Sequence, residues 1–244
     1  MKYFGMTDVG MKRAVNQDSF DVREYASGVL LTVCDGMGGV NGGAEASSTA
    51  VTAFTGYADL KLDVAGAVDT DTVKDTLTSA AKAANKAVFK ASEQNDELHG
   101  MGTTLVSAYI GENGIFAVNV GDSRLYYVYG ETIAQVTKDH SYVQYLVDIG
   151  KLTAEQAKES SGKNIITRAV GTEEDVEVDF FSLDAAPGGH LLLCSDGLTN
   201  HVSEEEIIRI LNDCPSPEEA CEALVYLANK NGGSDNITAV VASL

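Results

Sequence analysis

Four aspartates recur in one local setting along the chain. "LLTVCDGMGGVNGG" (residues 30–43) carries an apolar run into Asp35 and then spends five of the next eight residues on glycine. "LLLCSDGLTN" repeats the pattern at Asp196, "FAVNVGDSRLYYV" breaks a strand pattern at Gly121-Asp122, and "GGSDNITAVV" sets Asp235 just before an apolar run. For any one of them an Asp-Gly hairpin turn is the ordinary explanation. The set resists it, because Asp35-Gly36 and Asp196-Gly197 lead into helical patterns instead of a returning strand. A carboxylate at the end of a buried strand, with no Lys or Arg close in sequence, needs a compensating charge. Hard divalent cations supply it. Mg²⁺ and Mn²⁺ bind a few carboxylates, keep waters and accept backbone carbonyls, and glycine lets a carbonyl such as that of Gly36 come close.

The glycines fit no other binding loop. "GMGGVNGG" matches neither GxGxxG nor a phosphate loop ending in Lys-Ser/Thr, and Asp69-x-Asp71 followed by Val73 is not a calcium loop. "GMKRAVNQDSF" places Arg13, Asn16 and Asp18 between strand patterns. By itself that stretch reads as a solvated loop. Beside a two-metal site, Arg13 is a candidate for bidentate phosphate binding. Cys34, Cys194, Cys214 and Cys221 form no CxxC pair and read as buried, reduced thiols, with core packing favoured over ligation for Cys34 and Cys194. His99, His140, His190 and His201 are scattered, and His140 in "KDHSY" reads as a loop or helix-start residue.

The elements that must position these residues alternate in groups. Strands are expected at 3–9, 19–25 and 29–34, and helices at 44–57 and 72–93, the second capped by Asp69 or Asp71. Further strands are expected at 103–110, 115–120 and 124–128, with "GENG" as a hairpin turn. A helical hairpin follows at 141–150 and 153–159, its second arm opened by the capping box Thr153-x-x-Gln156. Strands at 178–183 and 190–194 precede helices opened by Ser203 and by Ser216-Pro217, and a strand over 237–242 ends the pattern. Short turns between neighbouring strands argue for antiparallel sheets, and the paired helices argue for layers outside them.

With 244 residues, 44% of them hydrophobic, the chain can bury one sizeable core. No apolar run approaches a membrane span and the N-terminal residues lack a secretory pattern, so the expectation is a cytoplasmic protein without a membrane partner. A net charge of −19 argues against nucleic acid. It also means that an anionic substrate needs a local cationic device.

In order along the chain, "GMKRAVNQD", "VCDGMGG", "MGTTLVSA", "VNVGDSRLY", "TKDHSYVQYLVDIGKLT", "NIITRAVG", "LLLCSDGLTNHV" and "GGSDNITAVV" resemble the signature of PPM-type (type 2C) metal-dependent protein serine/threonine phosphatases of the compact bacterial kind. The resemblance covers nearly the whole chain. It implies an α+β fold, a four-layer α-β-β-α sandwich of two antiparallel sheets flanked by helices, forming a single catalytic domain over 1–244 with a flap at about 139–163. It implies that Asp35 bridges two Mn²⁺ or Mg²⁺ ions, that the Gly36 carbonyl binds one of them, and that Asp196 and Asp235 bind the other. Asp122, with Asp196, would hold a third, weaker ion. Asp18 would orient a metal-bound water and Arg13 would grip the phosphate. The implied reaction is hydrolysis of phosphoserine and phosphothreonine in proteins by a hydroxide bridging the two ions.

Partners implied by the same resemblance are phosphoprotein substrates, among them a bacterial Ser/Thr kinase and its targets, acted on by a monomer. The sequence departs from common family forms at Met37, where eukaryotic relatives have His, at Val40, and at Ser160-Ser161, where a His-Pro step is usual. The alternative from another class is a non-catalytic module on the same fold that binds divalent ions or phosphopeptides.

Overall fold

In the computed structural model, residues 1–244 are described apart from Glu159, Ser161, Lys163 and Asn164 and the side chains of Val40, Asn41 and Lys158. Three strands, β1 (Lys2–Asp8), β2 (Asp18–Tyr25) and β3 (Gly28–Met37), lead into two long helices, α1 (Gly39–Leu62) and α2 (Thr70–Gln94). Then come β4 (Gly102–Thr103), β5 (Leu105–Gly111), β6 (Gly114–Val120), β7 (Arg124–Tyr129) and β8 (Thr132–Gln135). Helices α3 (Tyr142–Asp148) and α4 (Ala154–Lys158) follow, then β9 (Asp179–Leu183) and β10 (His190–Cys194). Helices α5 (Asp196–Thr199), α6 (Glu204–Asp213) and α7 (Pro217–Lys230) and strand β11 (Ile237–Ser243) complete the order.

The strands form two antiparallel sheets, ordered β1-β11-β10-β7-β8 and β2-β3-β5-β6-β9, with β4 pairing the end of β3. Side chains alternate across each strand, and the alternation sorts them into three apolar layers. Leu31, Val33, Leu191, Leu193 and Val240 face one another between the sheets. Their neighbours Leu30 and Cys34 turn outward to meet Phe54 of α1 and Leu77 of α2. Leu192 and Val241 turn to the opposite side, against Ile207 of α6 and Leu224 of α7. The α-β-β-α sandwich is therefore present. Strands such as β10 and β11 are continuous apolar runs because both of their faces are covered.

Local signals hold where their partners are present. Asp69 caps α2 by accepting from the Thr72 N–H at 2.9 Å, while Asp71 lies in the first turn. Thr153 and Gln156 exchange both capping-box bonds, and Ser203 and Glu206 do the same at α6. Helix α1 begins at Gly39, five residues before the expected Ala44, so Gly39, Gly42 and Gly43 lie in its first turns and Gly38 is its N-cap. Strand β8 was not expected. It is four residues long, mostly exposed, and turns back on β7 through Gly130-Glu131, with Tyr129 opposite Thr132. Cys214 is only half-buried, whereas the other three thiols are buried as expected. Among the described residues no helix is long and apolar enough to cross a membrane.

Candidate active site

Asp18 opens β2 and pairs directly with Asp35 on β3. Asp122 follows the end of β6, Asp196 follows β10, and Asp235 precedes β11, the neighbour of β10. Residues far apart in the chain thus meet at one end of the sandwich. They line a pocket of about 570 Å³ that holds Arg13, Asp35, Gly36, Asp122, Asp196 and Asp235, with Gln17, Met37 and Ile166 among its other walls. Asp18, only 7% exposed, lies beneath the pocket and not in its lining. All seven expected site residues therefore come together, six in the wall and one below.

The electrostatics are those of an anionic cluster short of cations. Burial, followed by the charges of Asp18, Asp196, Asp122 and Asp235, holds the Asp35 carboxyl well above the usual range. Burial also pushes Asp122 up to about 7, with Asp196 and Asp139 adding to the shift and Arg124 opposing it. Asp18 is pushed up to about 6, again chiefly by burial, although hydrogen bonds from Thr238 and Ser195 favour its charged form. One oxygen of that carboxylate, Oδ2, accepts from Ser195 Oγ at 2.7 Å and Thr238 Oγ1 at 2.6 Å. The other, Oδ1, is buried with no hydrogen-bond partner. An orphaned buried acceptor beside repelling carboxylates is the environment a bound cation relieves.

The donors in the wall are oxygens, and Cys34 and Cys194 are both buried in the core layers. This suits hard ions such as Mg²⁺ or Mn²⁺. Among the described residues no three carboxylate, imidazole or thiol groups stand at the mutual spacing of one ion's ligand shell. The set therefore fits ions that keep several waters and take one or two carboxylates each.

Arg13 supplies the pocket's cationic device. Its Nη2 donates to Asp235 Oδ2 at 2.7 Å, and its side chain remains 51% exposed. That bond to Asp235, with the more distant charges of Asp35 and Asp196, strengthens its hold on its proton. The loop that carries it is clamped by one side chain. Asn236 Nδ2 donates to the Val9 carbonyl at 2.9 Å and the Val15 carbonyl at 3.0 Å, while its Oδ1 accepts from the Gln17 N–H at 2.8 Å.

Comparison with known proteins supplies the family and the fold. A model of the protein phosphatase 2C family matches residues 11–230. The serine/threonine phosphatase stp of Listeria monocytogenes serotype 4b is 37% identical over 236 residues, covering 96% of this chain and 92% of the relative. The chain belongs to the protein phosphatase 2C family. Solved phosphatases of similar sequence share the fold. The S. agalactiae serine/threonine phosphatase has a TM-score of 0.91 at 33% identity, covering 100% of this chain and 99% of that one. The catalytic domain of serine threonine protein phosphatase PstP, solved with 2 manganese ions, has a TM-score of 0.83 at 35% identity, covering 99% and 97%.

Within this phosphatase 2C domain, sequence reasoning passed over the groups that hold the carboxylates. Thr104 Oγ1 accepts the Asp35 N–H at 2.9 Å and shares a 2.7 Å bond with Ser123 Oγ, so it ties the Asp35 strand to the residue after Asp122. Thr103 Oγ1 donates to the Asp35 carbonyl at 2.9 Å. Ser195 and Thr238 hold Asp18, and all five hydroxyl residues are fully buried. The available signal was a hydroxyl within the quoted motifs: Thr103-Thr104 in "MGTTLVSA", Ser123 and Ser195 next to Asp122 and Asp196, and Thr238 three residues after Asp235. The glycines have a packing role as well. A Cβ on Gly36 would lie 2.0 Å from the Gly43 carbonyl oxygen, so the end of β3 and the first turns of α1 touch backbone to backbone. Met37 lines the pocket and has no proton to donate. The Val40 side chain, Ser161 and part of the 139–163 segment lie outside the described residues.

Proposed function

We propose that this phosphatase 2C domain is a metal-dependent protein phosphatase that removes phosphate from serine and threonine side chains of proteins. The observation that carries the reading is the convergence of Asp35, Asp122, Asp196 and Asp235 on one pocket that also holds Arg13. Asp35, with the Gly36 carbonyl, Asp196 and Asp235, would hold two Mn²⁺ or Mg²⁺ ions, and Asp122 with Asp196 a third, weaker one. Bound ions of this kind lower the pKa of a water to give a nucleophile at neutral pH and screen the phosphate charge.

The chain's own residues do the rest. Asp18, fixed at Oδ2 by two hydroxyls, turns its free Oδ1 to orient a water from below. Arg13 exchanges its exposed bond to Asp235 for the phosphoryl oxygens, where its planar fork can bind two at once. Met37 leaves the alcohol to take its proton from solvent.

The 139–163 segment is proposed as a flap beside the pocket, where Ile166 just beyond it forms part of the wall. We place the domain in the cytoplasm, as a monomer acting on a Ser/Thr kinase and the targets of that kinase. The test is hydrolysis of a phosphothreonine peptide with Mn²⁺ and with EDTA. Turnover should require the ion and be abolished in Asp196→Asn with the fold retained. Full activity of that variant would remove the metal assignment.

A further inference from the structure

His140 stands outside the pocket wall, yet it is 8% exposed and bonded on every side. Its backbone N–H donates to the Gly121 carbonyl at 2.9 Å, and its Nδ1 lies 3.0 Å from the Gly121 N–H. It thus engages both polar groups of the residue immediately before Asp122. Its own carbonyl accepts from the Thr167 N–H at 2.8 Å. Gly121 needs such a clasp. Its φ of +109° is a conformation that other residues rarely adopt, and a Cβ there would lie 2.7 Å from Thr104 Cβ. The chain turns at this point, out of β6, to present a carboxylate that is 6% exposed.

The ring's far nitrogen, Nε2, lies 2.9 Å from Arg168 Nη1 and 3.3 Å from Asp179 Oδ2. Only one ring nitrogen of a neutral imidazole can accept. Arg168 Nη1 already has an acceptor, Asp179 Oδ1 at 2.7 Å. The buried Gly121 N–H has only Nδ1, and a buried amide left without an acceptor is the costlier loss. The proton therefore belongs on Nε2, facing the Asp179 carboxylate. Burial and the neighbouring Arg168 charge lower the pKa of His140, which keeps the ring neutral.

We propose that His140 is a positioning residue for Asp122: its unprotonated Nδ1 and its backbone N–H clasp Gly121 and fix the direction in which the Asp122 carboxylate enters the metal pocket. The inference rests on the proposed reading of Asp122 as a metal carboxylate. Two substitutions separate the two ends of the ring. In His140→Asn, Oδ1 stands where Nδ1 stood and can still accept from Gly121. In His140→Gln, the amide reaches toward Asp179 and Arg168, and the Gly121 acceptor is lost.

The experiment measures Mn²⁺ binding by calorimetry together with kcat and KM on a phosphothreonine peptide. His140→Gln should weaken the weakest Mn²⁺ binding step, the one assigned to Asp122, by about 10-fold or more, the usual effect of losing a group that orients a ligand, with the tighter steps and KM for the peptide little changed. His140→Asn should stay within about threefold of the parent, well short of such a loss. Equal losses in the two variants, or a Gln variant with parental affinity, would overturn the proposal. Nitrogen NMR of the parent protein reads the tautomer directly and decides the matter if a variant does not fold: a proton on Nδ1 refutes the clasp. A parent that binds Mn²⁺ without turning over peptide would defeat the proposed function and leave the binding comparison intact. A parent that binds no Mn²⁺ would overturn both.

Discussion

The cost of the anionic cluster can be read at Asp18. Its carboxyl rises from 3.8 to about 6 in the folded protein, so the fold holds a proton there that the unfolded chain releases. A raised acid contributes stability that is present in full below the unfolded value and is lost as pH climbs through the folded one. At pH 8 the metal-free protein has therefore lost about 3 kcal/mol from this group, and at pH 5 about half of that. Asp18→Asn removes the ionisation. Its amide oxygen can still accept from Ser195 and Thr238, and its Nδ2 places a donor where Oδ1 has no partner. In EDTA at pH 8 the variant should melt roughly 6–12 °C above the parent, taking 2–4 °C per kcal/mol for a domain of this size. The gain should shrink by about half at pH 5. Saturating Mn²⁺ should reverse the order, since the ion neutralises the cluster of the parent, while activity falls in the variant. Melting followed by circular dichroism at the two pH values is the assay. A variant no more stable than the parent in EDTA at pH 8, or a gain that does not change with pH, would refute the reasoning.

Other substitutions probe the supports. Thr104→Val strands the buried Asp35 N–H and the Ser123 hydroxyl and should cost about 2–4 kcal/mol by urea unfolding, whereas Thr104→Ser should recover most of it. Arg13→Ala should lower kcat/KM for a phosphopeptide by about 10–100-fold, the loss of a charge-assisted hydrogen bond, while stability changes little because the Asp235 pair is exposed; unchanged kcat/KM would exclude Arg13 from phosphate binding. Gly36→Ala forces β3 away from α1 at a 2.0 Å contact and should cost at least about 2 kcal/mol, measurable as a fall in the urea midpoint.

Much of this protein is legible along the chain. Periodicity and caps locate the strands and helices, since a capping box such as Thr153-x-x-Gln156 closes within one turn and needs nothing from elsewhere. Repetition of an aspartate at strand ends marks the candidate pocket, because that placement is unfavourable unless something charged meets it. Less legible were short exposed elements such as β8, whose four residues pair only with β7 and bury little. The glycine-rich start of α1 was misread for a related reason. Glycine has low helix propensity, so these residues carry no local helix signal, and only the fold shows that they allow the close backbone approach of Gly36 to Gly43.

Sequence by itself therefore determined most of the element order, the apolar faces and the candidate carboxylates, all of which depend on neighbours within a few residues. Tertiary structure alone decided that Asp18 would stand under the pocket on hydroxyls some two hundred positions away, at Ser195 and Thr238. It likewise decided that Arg13 would meet Asp235 and that a histidine resembling a loop residue would clasp Gly121. Those pairings join segments from both sheets, and their energies come from burial and charge shared across that junction, which no local window of sequence contains.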